Sequence, residues 1–152
     1  MSLWKIAAAI FLGLTGAAHA QAVVSGVPQT VVDPCQGQTR TYSLINIVTA
    51  ANTKIVTGTA SKKTYICHIF MLAGAADNVA VIEGSGTNCA TSPLALIGGN
   101  TAAKGLILAA NEGLVEGDGS RAIAATTVNA NDFCLITSAA VQLSGVAVTV
   151  QQ

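Results

Sequence analysis

The residues of this sequence best suited to chemistry are its four cysteines, Cys35, Cys67, Cys89 and Cys134. Their separations of 32, 22 and 45 residues include no C-x-x-C pair. Structural zinc sites and redox-active dithiols usually depend on such close pairs, so the spacing favours neither a bound metal nor a redox activity. An even number of cysteines is typical of disulfides in exported chains, and the N-terminus reads as an export signal. We therefore predict two disulfide bonds.

Four cysteines can pair in three ways. If the strand that contains Cys67 forms a hairpin with the next strand, the position opposite Cys67 falls near Glu83. Cys89 then lies about 20 Å farther along, whereas the Cα atoms of a disulfide lie within about 7 Å. We favour Cys35–Cys67 with Cys89–Cys134, and the other pairings stay open at this point.

Candidates for catalysis are few. His68 is the only histidine after residue 20 and lies in an apolar segment, without the nucleophile and acid that a general base needs nearby. Residues 84–86 (GSG) lack the G-x-S-x-G spacing of a nucleophile elbow, and neither a helix nor a lysine follows as in a phosphate-binding loop. We predict that the protein is not an enzyme and needs no cofactor.

The only acidic cluster consists of Glu112, Glu116 and Asp118, in a glycine-rich stretch. Carboxylates on an exported loop can bind Ca²⁺, but this spacing fits no EF-hand loop. We favour a solvated loop with a possible role in binding, and we predict no metal site.

Short apolar segments and turn residues alternate along the chain. The segments are rich in β-branched and aromatic residues, and glycine, asparagine or aspartate separates them. This pattern predicts an all-β fold, an antiparallel sandwich or barrel of eight or nine short strands. The predicted strands cover residues 41–48, 54–57, 64–72, 79–83, 94–97, 106–109, 122–127, 133–137 and 141–150.

Two of these strands indicate where the core lies. In residues 64–72, alternation places Tyr65, Cys67, Ile69 and Met71 on one face, and the opposite face is also largely apolar, so both need a cover. We expect the sandwich core on one side, and a loop, the N-terminal arm or another subunit on the other. In the last strand we expect the valines to face inward and Ala147 and Thr149 outward.

Residues 1–20 are predicted to be a secretory signal peptide. Lys5 precedes an apolar run over 6–14, and Ala18-His19-Ala20 fits the cleavage rule, which places the cut between Ala20 and Gln21. An uncleaved anchor is the alternative. Residues 21–38, with two prolines and two glycines, predict an extended arm, and 39–152 the β-sandwich domain.

The chain is poor in charge. Charged residues make up 9% of it and the net charge is +0, whereas about 25% is usual. Removal of residues 1–20 leaves six basic and seven acidic residues, so the low charge belongs to the domain itself. The balance argues against nucleic acid and anionic lipid as partners.

Several segments together resemble a family of small proteins found in tailed bacteriophages, prophages and environmental viral sequences. The likeness covers roughly residues 34–152, with Ser85 where threonine is usual and Thr149 where tyrosine is usual. It implies a jelly-roll-like β-sandwich that serves as a structural or interaction module, with no catalytic residues to carry over. The segments are residues 65–67 (YIC), 83–89 (EGSGTNC), 98–105 (GGNTAAKG), 133–138 (FCLITS), 144–146 (SGV) and 150–152 (VQQ).

These observations predict an exported, non-catalytic structural module that self-assembles or decorates a larger particle, phage-related or extracellular. The expected partner is another copy or another structural protein, with no nucleic acid and, after signal cleavage, no membrane. The expected location is secreted or periplasmic, including association with a virion or a cell surface. The alternative is a monomeric sandwich that binds a glycan or a cell-surface ligand through the glycine-rich loops 84–91, 98–105 and 111–120.

Overall fold

The computed structural model of the chain describes residues 32–152. The predicted signal peptide, its cleavage site at Ala20 and Gln21, and the arm up to residue 31 lie outside the described residues. The described part of the arm, residues 32–38, contains no strand.

The described chain is all-β, as predicted, and has ten strands rather than eight or nine. The additional strand is β7, which the sequence pattern missed. Two single 3-10 turns, Thr87–Cys89 and Ala102–Lys104, precede β5 and β6. The strands are β1 (Thr41–Ile47), β2 (Asn52–Val56), β3 (Thr64–Ala73), β4 (Asp77–Ser85), β5 (Thr91–Ile97), β6 (Leu106–Leu108), β7 (Gly113–Glu116), β8 (Ala124–Ala125), β9 (Asp132–Thr137) and β10 (Leu143–Gln151).

The strands form two antiparallel sheets. The first sheet has the order β1-β10-β3-β7, and β8 also pairs with β3. The second has the order β2-β9-β4-β5, and β6 also pairs with β4. Early strands therefore pair with late ones in reverse order, as in a long hairpin rolled into a sandwich, and the fold is a jelly-roll-like β-sandwich.

The main core lies between the two sheets and draws on both. Bulky aliphatic side chains and Phe133 fill it, and small residues complete the packing. Its buried members are Ile45, Ile47, Ile66, Ile69, Met71, Ala73, Val79, Val81, Leu108, Phe133, Leu135, Leu143 and Ala147.

A β-bulge in β3 corrects the predicted faces of that strand. Val148 of β10 pairs with His68, but the next residue, Thr149, pairs with Ile66, so Cys67 is an extra residue in the ladder. One extra residue shifts the alternation of side chains. Ile66 therefore joins Ile69 and Met71 in the core, whereas Cys67 belongs to a cluster on the outer face.

The predicted orientation of β10 was wrong as well. Leu143 and Ala147 belong to the core between the sheets. Val148 and Val150 lie on the outer face of the first sheet, where they are buried together with Cys35 and Cys67. The apolar valine face is buried by an external cover rather than by the opposite sheet.

Glu83 in β4 is a fully buried carboxylate. Its Oε1 accepts hydrogen bonds from the backbone N–H (2.7 Å) and the hydroxyl of Thr127. Its Oε2 accepts from the Val128 N–H at 3.3 Å and from Asn131 Nδ2 at 3.0 Å. Burial alone would raise the pKa of Glu83, but these hydrogen bonds outweigh it and hold the pKa below its usual value. The carboxylate thus ties β4 to the loop between β8 and β9.

Replacement of Glu83 by Gln tests this network. We expect a loss of about 1–3 kcal/mol in the free energy of unfolding at neutral pH, because buried donors lose their charged acceptor. A lowered folded pKa means that the stabilisation is complete above the unfolded pKa of about 4.3 and is lost as pH falls through the folded value. Denaturant unfolding followed by circular dichroism, from about pH 7 to about pH 3, should show the gap between the two proteins shrink.

Asp118→Asn is the matched control. The pKa of Asp118 is also lowered, first by the hydrogen bond from the Ser120 hydroxyl, but this carboxylate is in an exposed loop. We expect its unfolding curve to match that of the parent. A gap for Glu83→Gln that stays constant across the pH range would contradict the role of the Glu83 charge.

Candidate interaction surface

Both disulfides lie on outer faces of the sandwich. Cys35 bonds to Cys67 of β3, with the Cα atoms 5.6 Å apart. Cys89, in a 3-10 turn, bonds to Cys134 of β9, with the Cα atoms 6.2 Å apart. This is the favoured pairing, and the structure contains no free cysteine among residues 32–152.

The hairpin predicted between the strand of Cys67 and the next strand does not form, because β3 and β4 belong to different sheets. Cys67 packs with Val148 and Val150 outside the first sheet, and Cys89 packs with Ala80 and Ile82 outside the second. The two sheets themselves separate Cys67 from Cys89.

The segment around Cys35 covers one half of the outer face of the first sheet. Asp33 Oδ1 accepts hydrogen bonds from the N–H groups of Cys35 and Ala122, both at 2.9 Å. Arg40 Nη2 donates to the carbonyl oxygen of Cys35 at 3.0 Å. These bonds hold the described end of the arm over Val148, which is only 6% exposed. Of the three covers that were expected, a loop, the N-terminal arm or another subunit, the described end of the arm covers this half.

The other half of that face is uncovered within residues 32–152. Leu44 pairs with Val146, Val146 with Phe70, and Phe70 with Val115, so one row of apolar side chains crosses β1, β10, β3 and β7. Leu44 is 83% exposed and Val115 62% exposed. At about 4.8 Å per strand the row is about 14 Å long. We call this row, together with Tyr42 and Leu72 beside it, the open face.

The rows on either side of the open row are uncharged. Asn46 pairs with Ser144, and Gln142 Nε2 donates to Asn46 Oδ1 at 2.9 Å and to the Ser144 hydroxyl at 2.8 Å. On the other side, Tyr42 pairs with Val148. Three successive rows of this face therefore carry no Asp, Glu, Lys or Arg. The open face is apolar at its centre and neutral at its borders.

The aromatic side chains of the described strands divide between the core and the surface. Tyr42 and Phe70 both lie on the open face, while Phe133 is in the core and Tyr65 is half-buried. Alternation along a single strand cannot show which face is inward, and the bulge at Cys67 turns Phe70 outward.

The side chain of His68 forms a hydrogen bond with the backbone. Its Nδ1 lies 2.6 Å from the carbonyl oxygen of Gly117, and because a carbonyl only accepts, Nδ1 carries the donated hydrogen. The side chain is half-buried. Its bonded partner is thus neither the nucleophile nor the orienting carboxylate that a catalytic base requires.

The three carboxylates of the acidic loop do not converge. Glu112 Oε2 accepts from the Ala109 N–H at 2.8 Å, and Asp118 Oδ1 accepts from the Ser120 N–H at 2.8 Å. Glu116 is exposed at the end of β7. Across residues 32–152 there is no group of three or more His, Cys, Asp or Glu side chains that could hold a metal ion. The predicted solvated loop is interrupted by β7: Glu112 precedes this strand, Glu116 ends it and Asp118 follows it.

The glycine-rich loops are spread over the molecule. The segment over 84–91 lies at the end of β4, where a Cβ on Gly84 would meet Cys89. Gly105 instead lies against Val79, near the start of β4, so the two contacts are about 16 Å apart along that strand. Gly117 lies against Cys67, on the other sheet. The structure does not gather these loops at one end of the sandwich.

The chemistry of the described chain indicates its environment. Two disulfides are typical of non-reducing, extracellular-type compartments. No helix within residues 32–152 is long and apolar enough to cross a membrane.

Loss of the Cys35–Cys67 bond should be costly. We expect the double variant Cys35→Ala/Cys67→Ala to lose about 3–4 kcal/mol in the free energy of unfolding, because the bond restricts the unfolded chain. For Cys89→Ala/Cys134→Ala we expect a loss within a few tenths of a kcal/mol of that, since loop entropy varies only with the logarithm of loop length. Urea unfolding followed by circular dichroism measures both, and a Cys35→Ala/Cys67→Ala variant as stable as the parent would contradict the stabilising role of this bond.

Comparison with protein-family models, with curated proteins and with solved structures finds no match for this chain. The resemblance to phage-associated proteins stays a prediction.

Proposed function

We propose that this protein is an exported, non-catalytic structural module that self-assembles or decorates a larger particle, with the open face as its contact surface. The observation that carries the proposal is the uncharged apolar row Leu44–Val146–Phe70–Val115, which crosses four strands of the first sheet and has its most exposed side chains at its two ends. A contiguous exposed apolar patch bordered by polar residues is typical of contact surfaces.

The composition of the open face suits contact with protein. The cores of protein interfaces are depleted in charge and enriched in aromatic residues, and the open face combines Tyr42 and Phe70 with aliphatic neighbours. Full burial of a Val, Leu or Phe side chain contributes about 1.5–3 kcal/mol, which must offset the entropy lost on association. Because several such side chains lie in one row, their combined burial can offset the entropy lost on association.

Two further observations support export and the absence of catalysis. The disulfides of Cys35 and Cys89 suit an oxidising compartment, in agreement with the predicted signal peptide. The candidate catalytic residue His68 binds a backbone carbonyl, and Glu112 and Asp118 accept hydrogen bonds from backbone N–H groups of nearby residues.

Glycan binding is the competing function, and its most suitable surface is the open face rather than the glycine-rich loops. The glycine-rich loops are apart, whereas Tyr42 and Phe70 present aromatic rings on the open face. A glycan array probed with the parent protein, with and without Ca²⁺, separates the two functions. Specific hits would favour the binding module over self-assembly.

Sedimentation velocity over a range of concentrations tests self-assembly. We expect the parent protein to form oligomers, and Val115→Ser to raise the dissociation constant about tenfold through loss of about 1.5 kcal/mol of apolar burial. Ile107→Ser is the matched control, because Ile107 is 81% exposed but lies on the second sheet. We expect this control to associate like the parent.

A parent protein that stays monomeric at all concentrations would contradict the proposal. Equal weakening by Val115→Ser and Ile107→Ser would remove the open face as the contact surface.

A further inference from the structure

Strand β1 is an unpaired sheet edge among residues 32–152. It pairs with β10 on one side only, and it stands at the end of the strand order. Seven consecutive residues, Thr41 to Ile47, pair with β10 without a register shift. Alternate N–H and C=O groups of such an edge point away from the sheet and can pair with another strand.

The other edges of the sandwich carry the devices that prevent edge pairing. β2 holds Lys54, which forms an ion pair with Asp132 at 2.7 Å, and has a register shift after it. β5 contains Pro93 and two register shifts. β6 is three residues long, β8 is two, and β7 is four and ends in Glu116. Short strands, charges, proline and bulges all discourage strand addition.

β1 has none of these devices. Its sequence, TYSLINI, contains no charge, no proline and no glycine, and its seven residues equal β5 and exceed every other edge strand in length. Its outward side chains Tyr42 and Leu44 are the most exposed of the open face. Every other edge strand among residues 32–152 carries at least one of these features. Their absence from β1 alone suggests that this edge is available for strand pairing.

We propose that two copies of the chain associate by antiparallel pairing of β1 with β1 around a two-fold axis. The proposal rests on the self-assembly proposed above and adds one step to it: edge pairing joins two copies, and the open faces, which this pairing leaves exposed, remain the surface for the further contact that Val115→Ser tests. If all seven residues pair, the axis passes through Leu44, which then lies opposite Leu44 of the second copy. Tyr42 lies opposite Asn46, and no like charges meet anywhere along the pair.

This arrangement joins the two open faces into one. The row Leu44–Val146–Phe70–Val115 continues from Leu44 into the same row of the second copy, so four strands become eight. A strand that pairs with itself must be compatible with its own sequence in reverse, and β1 is compatible because it is neutral throughout. Self-pairing of this kind closes as a dimer, since it uses the same edge on both copies.

Cysteine cross-linking tests the pairing with its register. Residues directly opposite in an antiparallel pair have Cα atoms about 4.5–5.5 Å apart, within the limit of about 7 Å for a disulfide. We therefore expect Leu44→Cys to oxidise to a covalent dimer. Tyr42→Cys is the register control, because the two Tyr42 positions would be about 14 Å apart. Val115→Cys is the exposure control, on the open face but far from β1.

We expect Leu44→Cys to cross-link about a hundredfold faster than either control, because pairing holds the two thiols at millimolar effective concentration in a micromolar solution. Mapping of the disulfides by mass spectrometry, with Cys35–Cys67 and Cys89–Cys134 retained, establishes the site. Equal rates for all three variants in a protein that sediments as an oligomer would overturn edge pairing while leaving self-assembly intact. Equal rates in a parent protein that is monomeric would remove both proposals. If residues 21–31 of the same chain occupy the β1 edge, Leu44→Cys also stays uncross-linked, and that outcome overturns edge pairing.

Discussion

The extra residue that β3 accommodates at Cys67 sets the direction of the side chains along that strand. On one side of the bulge Ile66 points into the core, and on the other Ile69 and Met71 do. Without the bulge, one of these two groups would face outward, since side chains alternate strictly along a regular strand. Cys67 itself is placed outside the sheet, where it reaches Cys35. The location of the first disulfide, the covered half of the outer face and the outward direction of Phe70 all depend on this one irregularity.

Each disulfide holds a segment over apolar residues on the outer face of one sheet. Neither connects the two sheets; each closes an outer face that the sandwich core does not reach. Cys35 covers Val148 and Val150, and Cys89 covers Ala80 and Ile82. The apolar side chains on these outer faces need a cover that the core between the sheets does not provide. Cross-linked segments supply the cover, and the open face is the region that they leave free.

The strand pattern of the sequence predicted most of the fold, because β-branched alternation and turn residues are local signals. β7 escaped because Gly113 and Glu116 leave only two apolar residues between them. The orientation of β3 and β10 could not be predicted, since a bulge is defined by the register of two strands far apart in sequence. The open face was missed for the same reason: Leu44, Val146, Phe70 and Val115 become neighbours only through that register.

The network of Glu83 shows a second limit. The sequence predicted Glu83 only as the last residue of the strand over 79–83, whereas its hydrogen-bond donors begin at Thr127, on a loop after β8. No local pattern links the two. The pairing of the cysteines was predicted correctly, but through a hairpin between β3 and β4 that does not exist. Cys67 and Cys89 do not pair because the two sheets lie between them, and only the sheet topology shows this.

The rolled order of the strands has a consequence for how the chain acquires its structure. β1 is held in its sheet by β10, and Thr41 pairs with Thr149. The first strand therefore stays without its partner until nearly all of the domain has been synthesised. Folds dominated by such distant pairings form slowly, because the chain loses loop-closure entropy before the stabilising contacts are made. Such late closure is compatible with the export proposed above, since a chain whose first sheet is incomplete can still be threaded through a translocation channel.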